Sequence, residues 1–288
     1  MEFTMTLAED FKTMTVKELL EEEWLVPRKV RHFIRTRKSI LVNGQPVHFQ
    51  DQVKAHDQID LEIADSDYPV RNILLGDAKL VQPLYENQHF IIVNKPAGMK
   101  THPNQPAEQD TLLNHLAAYL APDFQPHVVH RLDKETSGAI LFAKNQFVLP
   151  ILGRLLESKQ IYRRYQALVW GNITNDLTIN QKIGRDRHDR RKRRIDQKNG
   201  QPAITHVTVA QHLKKQTAIY CQLETGRTHQ IRVHLASIGH PLVGDPLYSK
   251  DATGRLMLHA WQLHLTHPFT QEKISVTAKP GIFTEEST

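Results

Sequence analysis

Apolar positions fall into two rhythms along this chain, one with the spacing of a helix face and one of strict alternation. Val16, Leu19 and Leu20 recur at helical spacing and predict a first helix; Val30, Phe33 and Ile34 predict a second. The segment ILVNGQPV predicts two short strands around Asn43-Gly44, a dipeptide that accepts the positive φ angles of a tight hairpin turn. Residues 12–63 therefore read as one compact unit, and with the leading residues as a small module over 1–63. Residues 64–82 show no clear periodicity and read as a linker. Beyond them strands and helices mix. HFIIVNKPAG reads as a strand running into a turn, TLLNHLAAYL as a helix and GAILFAK as a strand. Phe147, Ile151 and Leu155 mark another helix, RYQALVWG returns to strand, and Ile231, Leu235 and Ile238 mark a helix that Gly239 and Pro241 stop. Cys221 alternates in phase with Ile219 and Leu223 and reads as a buried strand residue. With no internal repeat and no low-complexity tract, residues 83–284 form one large α+β domain, expected to fold on its own core.

Composition narrows the partner. The 288 residues carry a formal net charge of +6, which favours an anionic partner. No apolar run reaches the roughly 18 residues needed to span a bilayer, and the N-terminus MEFTMTLAEDF is acidic where a signal peptide would be basic. A cytoplasmic location and no membrane partner are expected. A single cysteine excludes an internal disulfide and any cysteine-rich zinc site. The positive charge is concentrated. Arg28, Lys29, Arg31, Arg35, Arg37 and Lys38 fall within the second predicted helix or at its end, and no acid lies among them. A second segment, from Arg185 to Lys198, carries a net +5 and almost no apolar residue; it reads as a surface loop that attracts phosphates.

The basic helix followed by ILVNGQPV and DQIDLEI resembles the S4 RNA-binding module, with one departure. Where that module usually has a glycine between helix and strand, this chain has Arg37 and Lys38.

The stretch His130 to Gly138, HRLDKETSG, sets one carboxylate among cationic and hydroxyl groups ahead of an apolar run. By itself this could be an ion-paired turn. The longer string HRLDKETSGAILFAKN resembles the central motif of the RluA-type pseudouridine synthases, and other segments resemble further motifs of that family in order. These are VNKPAGMKTHP (93–103), YQALVWG (165–171), LETGRTHQIRVHLASIGHPLVGDPLY (223–248) and RLMLHAWQLHLTHP (255–268). The resemblance implies an α+β protein: a small S4-like module, then a large mixed, mainly antiparallel β-sheet catalytic domain with peripheral helices. It also implies a reaction, the isomerisation of a uridine in RNA. That chemistry needs a carboxylate, and Asp133 is expected to supply it, as nucleophile at the sugar or base or as base at C2′. A cation must hold the carboxylate charged in a dry cleft. The family pattern implies Arg227, with Arg131 and Arg232 as rivals. Tyr165 is expected to stack on the uracil and to help remove the C5 proton. His130 is expected to pack rather than to react, and Thr136, Ser137 and Gly138 to shape the turn.

The target base must leave its stack, which costs a few kcal/mol, so contacts to the displaced backbone are expected. Candidates are Arg28, Lys29, Arg31, Arg35, Arg37, Lys38, Arg131, Arg185, Arg190, Arg191, Lys192 and Arg193. No cofactor is expected. Seventeen histidines raise a metal-dependent nuclease as a rival, but His229 and His234 have the wrong spacing to share a metal on a helix, and no HExxH motif is present. A non-catalytic RNA-binding or assembly factor is the other rival. The partner is expected to be RNA, with ribosomal RNA of the large subunit favoured and transfer RNA left open; no obligate protein partner is evident.

Overall fold

The computed structural model describes residues 2–64, 68 and 72–280. The N-terminal module is a sheet with strand order Glu2–Thr6, Gln58–Glu62, Ile40–Val42, Gln45–Pro46, packed against the helix Arg28–Arg37. A short helix Val16–Glu18 opens the first predicted helix, held by a capping box between Thr15 and Glu18, and continues as the π-helical turn Leu19–Glu23. The hairpin forms as expected, with Asn43 and Gly44 at φ 52° and 75°. The missing glycine has a plain consequence. Lys38 itself takes the left-handed conformation, at φ 53°, and its N–H closes on the Arg35 carbonyl at 3.3 Å; a side chain in this region costs roughly 1–2 kcal/mol.

The expected linker is corrected in its second half. Residues 65–67 and 69–71 lie outside the described residues, but residues 72–82 are built into the large domain. The Gly76 N–H donates to the Asn114 carbonyl and the Asp77 N–H to His115 Nδ1, both at 2.9 Å, while Asn114 Nδ2 donates to the Leu74 carbonyl at 2.7 Å. Gly76 permits this because a Cβ there would lie 2.5 Å from the His115 ring. Lack of periodicity marked an irregular segment, not a loose one.

Among the described residues the large domain is a ten-stranded sheet whose main path runs Leu177–Asn180, Ile204–His212, Gln216–Leu223, Tyr162–Trp170, Leu258–Thr266, Ser137–Ala143, Phe90–Lys95, Pro83–Glu86. Neighbours are antiparallel except where Ser137–Ala143 meets Leu258–Thr266 in parallel, through Ser137 opposite His259 and Gly138 opposite Ala260. The run GAILFA is buried on both faces. Ala139, Leu141 and Ala143 enter one core with the helix Val148–Glu157; Ile140 and Phe142 enter a second with the helices Leu112–Leu120 and Gln230–Ser237.

The first of these cores does not stop at the domain. Phe3 packs on Phe147 with ring centroids 4.9 Å apart, Trp24 meets Phe269 edge-on at 5.3 Å, and Arg154 Nη1 donates to the Leu25 carbonyl at 3.0 Å. Module and large domain share one continuous apolar cluster. One of the two cores of the large domain is thus shared with the module, while the second lies wholly within the domain. Trp24→Ala, at a side chain only 1% exposed, is expected to destabilise the whole chain by about 3–5 kcal/mol, in a single transition by calorimetry. Deleting residues 1–63 should bare Phe147 and Phe269 and give a protein that melts earlier or aggregates; a truncated chain melting at the full-length temperature would contradict the shared core.

Candidate active site

Asp133 sits on a turn that is fastened from several sides. Behind it, Thr101 Oγ1 donates to the Leu132 carbonyl at 2.8 Å, and the Gly98 N–H donates to the Lys134 carbonyl at 2.9 Å. Lys95, fully buried, donates from Nζ to the carbonyls of Pro96, Met99 and Lys134 at 2.7–3.0 Å. Burial pulls its pKa down to about 7, against the upward pull of Asp133 and Glu135. Three acceptors call for three N–H bonds, which only the ammonium form carries. Ahead of the turn, Ser137 Oγ accepts from Arg255 Nη2 at 2.8 Å and lies 2.8 Å from His259 Nδ1. Gly138, at φ 113°, brings its backbone so close to Ala260 that a Cβ would overlap the Ala260 carbonyl. His130 is buried and accepts the Leu141 N–H on Nε2 at 3.1 Å. Burial and then the nearby Arg163 lower its pKa to about 3, so it stays neutral and structural.

The carboxylate opens into a cleft of about 590 Å³ whose lining includes Arg163, Tyr165, Arg227, His229 and Arg232, a size within the roughly 300–1,000 Å³ range of ligand-binding clefts. The cation beside Asp133 is Arg232, with Nη1 3.4 Å from Oδ2. Arg227 is not there. It is exposed at the rim, and its Nε donates to the Pro202 carbonyl at 3.1 Å. The expectation of Arg227 as partner is corrected to its rival, and the reason is helix geometry. Arg232 lies inside Gln230–Ser237, which carries its side chain inward, whereas Arg227 precedes that helix. Arg232 is itself held by Asp245, which accepts from Nε at 2.8 Å and Nη2 at 2.7 Å. Burial opposes the charge on Arg232, but this bidentate pair and the fields of Asp245 and Asp133 keep its pKa above the usual value. His229 Nε2 stands 3.8 Å from the same Asp133 oxygen.

Tyr165 forms a buried wall of the cleft, at a register irregularity between Arg164 and Tyr165 that re-aims the strand. Burial first, with Asp133 adding to it against Arg163, raises its pKa. It remains a phenol at neutral pH, suited to stacking and hydrogen-bond donation more than to service as a phenolate base.

With this geometry in place, comparison with known proteins decides the lineage. Residues 89–237 match the RNA pseudouridylate synthase family, and residues 3–59 match the N-terminal domain of the RluD ribosomal pseudouridine synthase. The chain belongs to the RNA pseudouridylate synthase family. It is similar to the uncharacterized RNA pseudouridine synthase YhcT of Bacillus subtilis, 39% identical over 84% of this chain and 82% of the relative. Ribosomal large subunit pseudouridine synthase D of Neisseria meningitidis serogroup B is 36% identical over 83% and 68%. Among solved structures, human RNA pseudouridylate synthase domain containing 1 aligns with a TM-score of 0.62 at 29% identity, covering 74% of this chain and 88% of that one. The chain is an RNA pseudouridine synthase, with the mixed, mainly antiparallel sheet of its family and an S4-like N-terminal module.

The basic residues of the synthase separate into exposed and engaged groups. Arg28, Lys29, Arg35, Arg37 and Lys38 are exposed on the module helix, where Lys29 and Arg37 lie over the Phe33 ring at 5.6 and 5.2 Å. Arg31 departs from the expectation: it turns inward and pairs with Glu21 at 2.9 Å, its side chain only 13% exposed. Arg131 is exposed at the cleft mouth. The segment expected as a loop is a hairpin, Ile183–Arg185 against Arg193–Ile195, because Ile183 and Ile195 anchor its base in a small cluster with Val233. Arg185, Arg190 and Arg191 are exposed there, Arg191 held by Asp189 at 2.9 Å, while Lys192 and Arg193 are half-buried. Sequence reasoning missed Lys95, Asp245 and Tyr248, and it weighed His229 only as a metal ligand. It also missed Arg163, whose Nε is buried in the cleft wall without an acceptor. The string GDPLY, inside a recognised motif, was the one signal for Asp245 and Tyr248.

Arg232→Lys keeps a charge but cannot hold Asp245 in two bonds and reach Asp133 as well. It is expected to lower turnover by about a hundredfold or more, whereas Arg227→Gln should stay within about threefold of wild type. Single-turnover rates of the two variants check this, and the reverse ranking would return the partner role to Arg227.

Proposed function

We propose that the synthase isomerises specific uridines of large-subunit ribosomal RNA, with Asp133 as the reacting carboxylate and no cofactor. The observation that carries the reading is the Asp133 carboxylate, 17% exposed, lining the cleft with Arg232 beside it and Tyr165 on the wall. The reaction balances within one nucleotide. The N1–C1′ bond breaks, a C5–C1′ bond forms, C5 loses its proton and N1 gains one. Attack at the sugar, attack at the base and proton removal at C2′ all begin from the same carboxylate, and Arg232 Nη1 lies 3.4 Å from its Oδ2. Tyr165 offers a ring for the detached uracil and a hydroxyl for its polar atoms.

The ribosomal target is supported by the relatives named as ribosomal large subunit synthases and by the N-terminal match to the ribosomal synthase RluD. The exposed cations of the module helix, together with Arg131 and the 183–195 hairpin, supply the phosphate contacts that a flipped nucleotide requires. No helix of the described residues is long and apolar enough to cross a membrane, and a cytoplasmic site of action follows from a ribosomal substrate.

Asp133→Asn is expected to abolish pseudouridine formation while RNA affinity stays within about twofold, because phosphate contacts carry most of the binding. Wild-type turnover should persist in excess chelator on a prefolded transcript; activity restored only by added metal would overturn the cofactor-free reading. Replacing Arg190, Arg191 and Lys192 with glutamine should flatten the log-log dependence of affinity on salt by roughly 0.7–0.9 for each phosphate no longer neutralised. Mapping pseudouridines in cells with and without the gene tests the target: sites lost from transfer RNA alone would sink the ribosomal assignment.

A further inference from the structure

A hydrogen-bond chain enters the cleft that the chemistry above leaves unused. The main-chain N–H of Arg193 donates to Tyr248 Oη at 2.7 Å, and Tyr248 Oη lies 2.8 Å from His229 Nδ1. A phenol oxygen that already accepts an N–H still has its own proton to give, and the proposed arrangement has Tyr248 donate it to Nδ1. A neutral imidazole that accepts on Nδ1 carries its proton on Nε2. That is the nitrogen 3.8 Å from Asp133 Oδ2. The opposite tautomer would set a lone pair against the carboxylate.

The surroundings keep both groups in the states this chain needs. Burial lowers the pKa of His229; Asp133 and Asp245 pull it up, while Arg232 and Arg193 push it down. The imidazole is thus neutral at neutral pH, and tautomer rather than charge decides what it presents. Burial raises Tyr248 to about 12, so its proton stays on oxygen. The backbone supports the same arrangement. His229 sits in the left-handed region at φ 58°, immediately before the helix Gln230–Ser237, with its ring edge-on to Tyr248 at 5.7 Å. A non-glycine side chain is uncommon in that region.

We propose that Arg193, Tyr248 and His229 are positioning residues for Asp133: the chain fixes the His229 tautomer that offers the carboxylate an N–H donor, and it ties the basic hairpin to the reacting group. The proposal rests on Asp133 being the reacting carboxylate. At 3.8 Å the last link is longer than a hydrogen bond, and such contacts tighten when the substrate complex forms. Because Arg193 begins the return strand of the hairpin, any RNA that grips the hairpin also loads the start of the chain.

The test is single-turnover pseudouridine formation by full-length wild type, Tyr248→Phe, His229→Gln and His229→Ala, from about pH 5 to 8. At the alkaline end Tyr248→Phe should be slower by about tenfold, with RNA affinity unchanged within about twofold. Acidification should then restore it, because an imidazolium carries an N–H on both nitrogens whatever its former tautomer; wild type should show no such gain. His229→Gln, whose amide can still donate, should outrun His229→Ala. Tyr248→Phe at the wild-type rate and with the wild-type pH profile would overturn the proposal, as would equal rates for the two His229 variants. The latter comparison decides alone if Tyr248→Phe melts early. Residual activity of Asp133→Asn would instead strike the underlying reading, so the two failures are distinct.

Discussion

The close approach of Gly138 to Ala260 sets the position of everything in the cleft. It lies where Ser137–Ala143 and Leu258–Thr266 run parallel, in a sheet otherwise antiparallel among the described residues. Only two residue pairs make the junction, so each must seat closely. A residue without Cβ, at φ 113°, lets the two backbones meet. The turn bearing Asp133 ends one step before this contact, and Ser137 there is caught between Arg255 and His259. Strand Tyr162–Trp170 hangs from the same partner strand, pairing Tyr165 with Ala260. Asp133 and Tyr165 therefore take their separation from a single backbone contact.

Around that frame the charges form a graded series. Asp245 is fully buried and spends its carboxylate on Arg232 and on the N–H groups of Leu247 and Tyr248. Arg232, 3% exposed, is thereby anchored with one nitrogen left over for Asp133. Burying ions in this way gives little net stability and is costly to break. Its return is orientation: a guanidinium already paired on two nitrogens cannot swing, so its third nitrogen meets Asp133 at one place and one angle. Lys95 does for the backbone of the turn what Asp245 does for Arg232, fixing three carbonyls from a site that water does not reach.

Much of this was legible in the sequence, and the parts that were not share a cause. Period and punctuation gave the hairpin at Asn43-Gly44 and the helix ended by Gly239, since each rests on contacts near in sequence; the strand GAILFA, whose partners lie far along the chain, was legible from its apolar run alone. The motif around Asp133 pointed to the carboxylate and to the tyrosine strand. The partner cation was misjudged because Arg227 and Arg232 lie in one motif, and only the start of the helix at Gln230 decides which side chain turns inward. Arg31 was read as an outward cation for a similar reason: its partner Glu21 belongs to the preceding turn, and charge counting within one helix is blind to it. Asp245, Tyr248 and His229 are held by hydrogen bonds between residues 13, 19 and 55 apart, which no periodicity reports.

The shared core between module and large domain changes what the N-terminal basic helix can do. A module on a flexible linker would raise the local concentration of RNA and leave the choice of uridine to the cleft. Here Phe3 and Trp24 are locked against Phe147 and Phe269, and the described part of the connection, from residue 72 onward, is bonded to the helix Leu112–Leu120. The cations of Arg28–Arg37 are thus held at a fixed distance and angle from Asp133. An RNA that satisfies both must present a phosphate surface and an extrudable uridine with the same separation. On the proposed RNA contacts, selection by such a rigid pair would read the folded shape of the RNA, with sequence entering only through the fold that it supports.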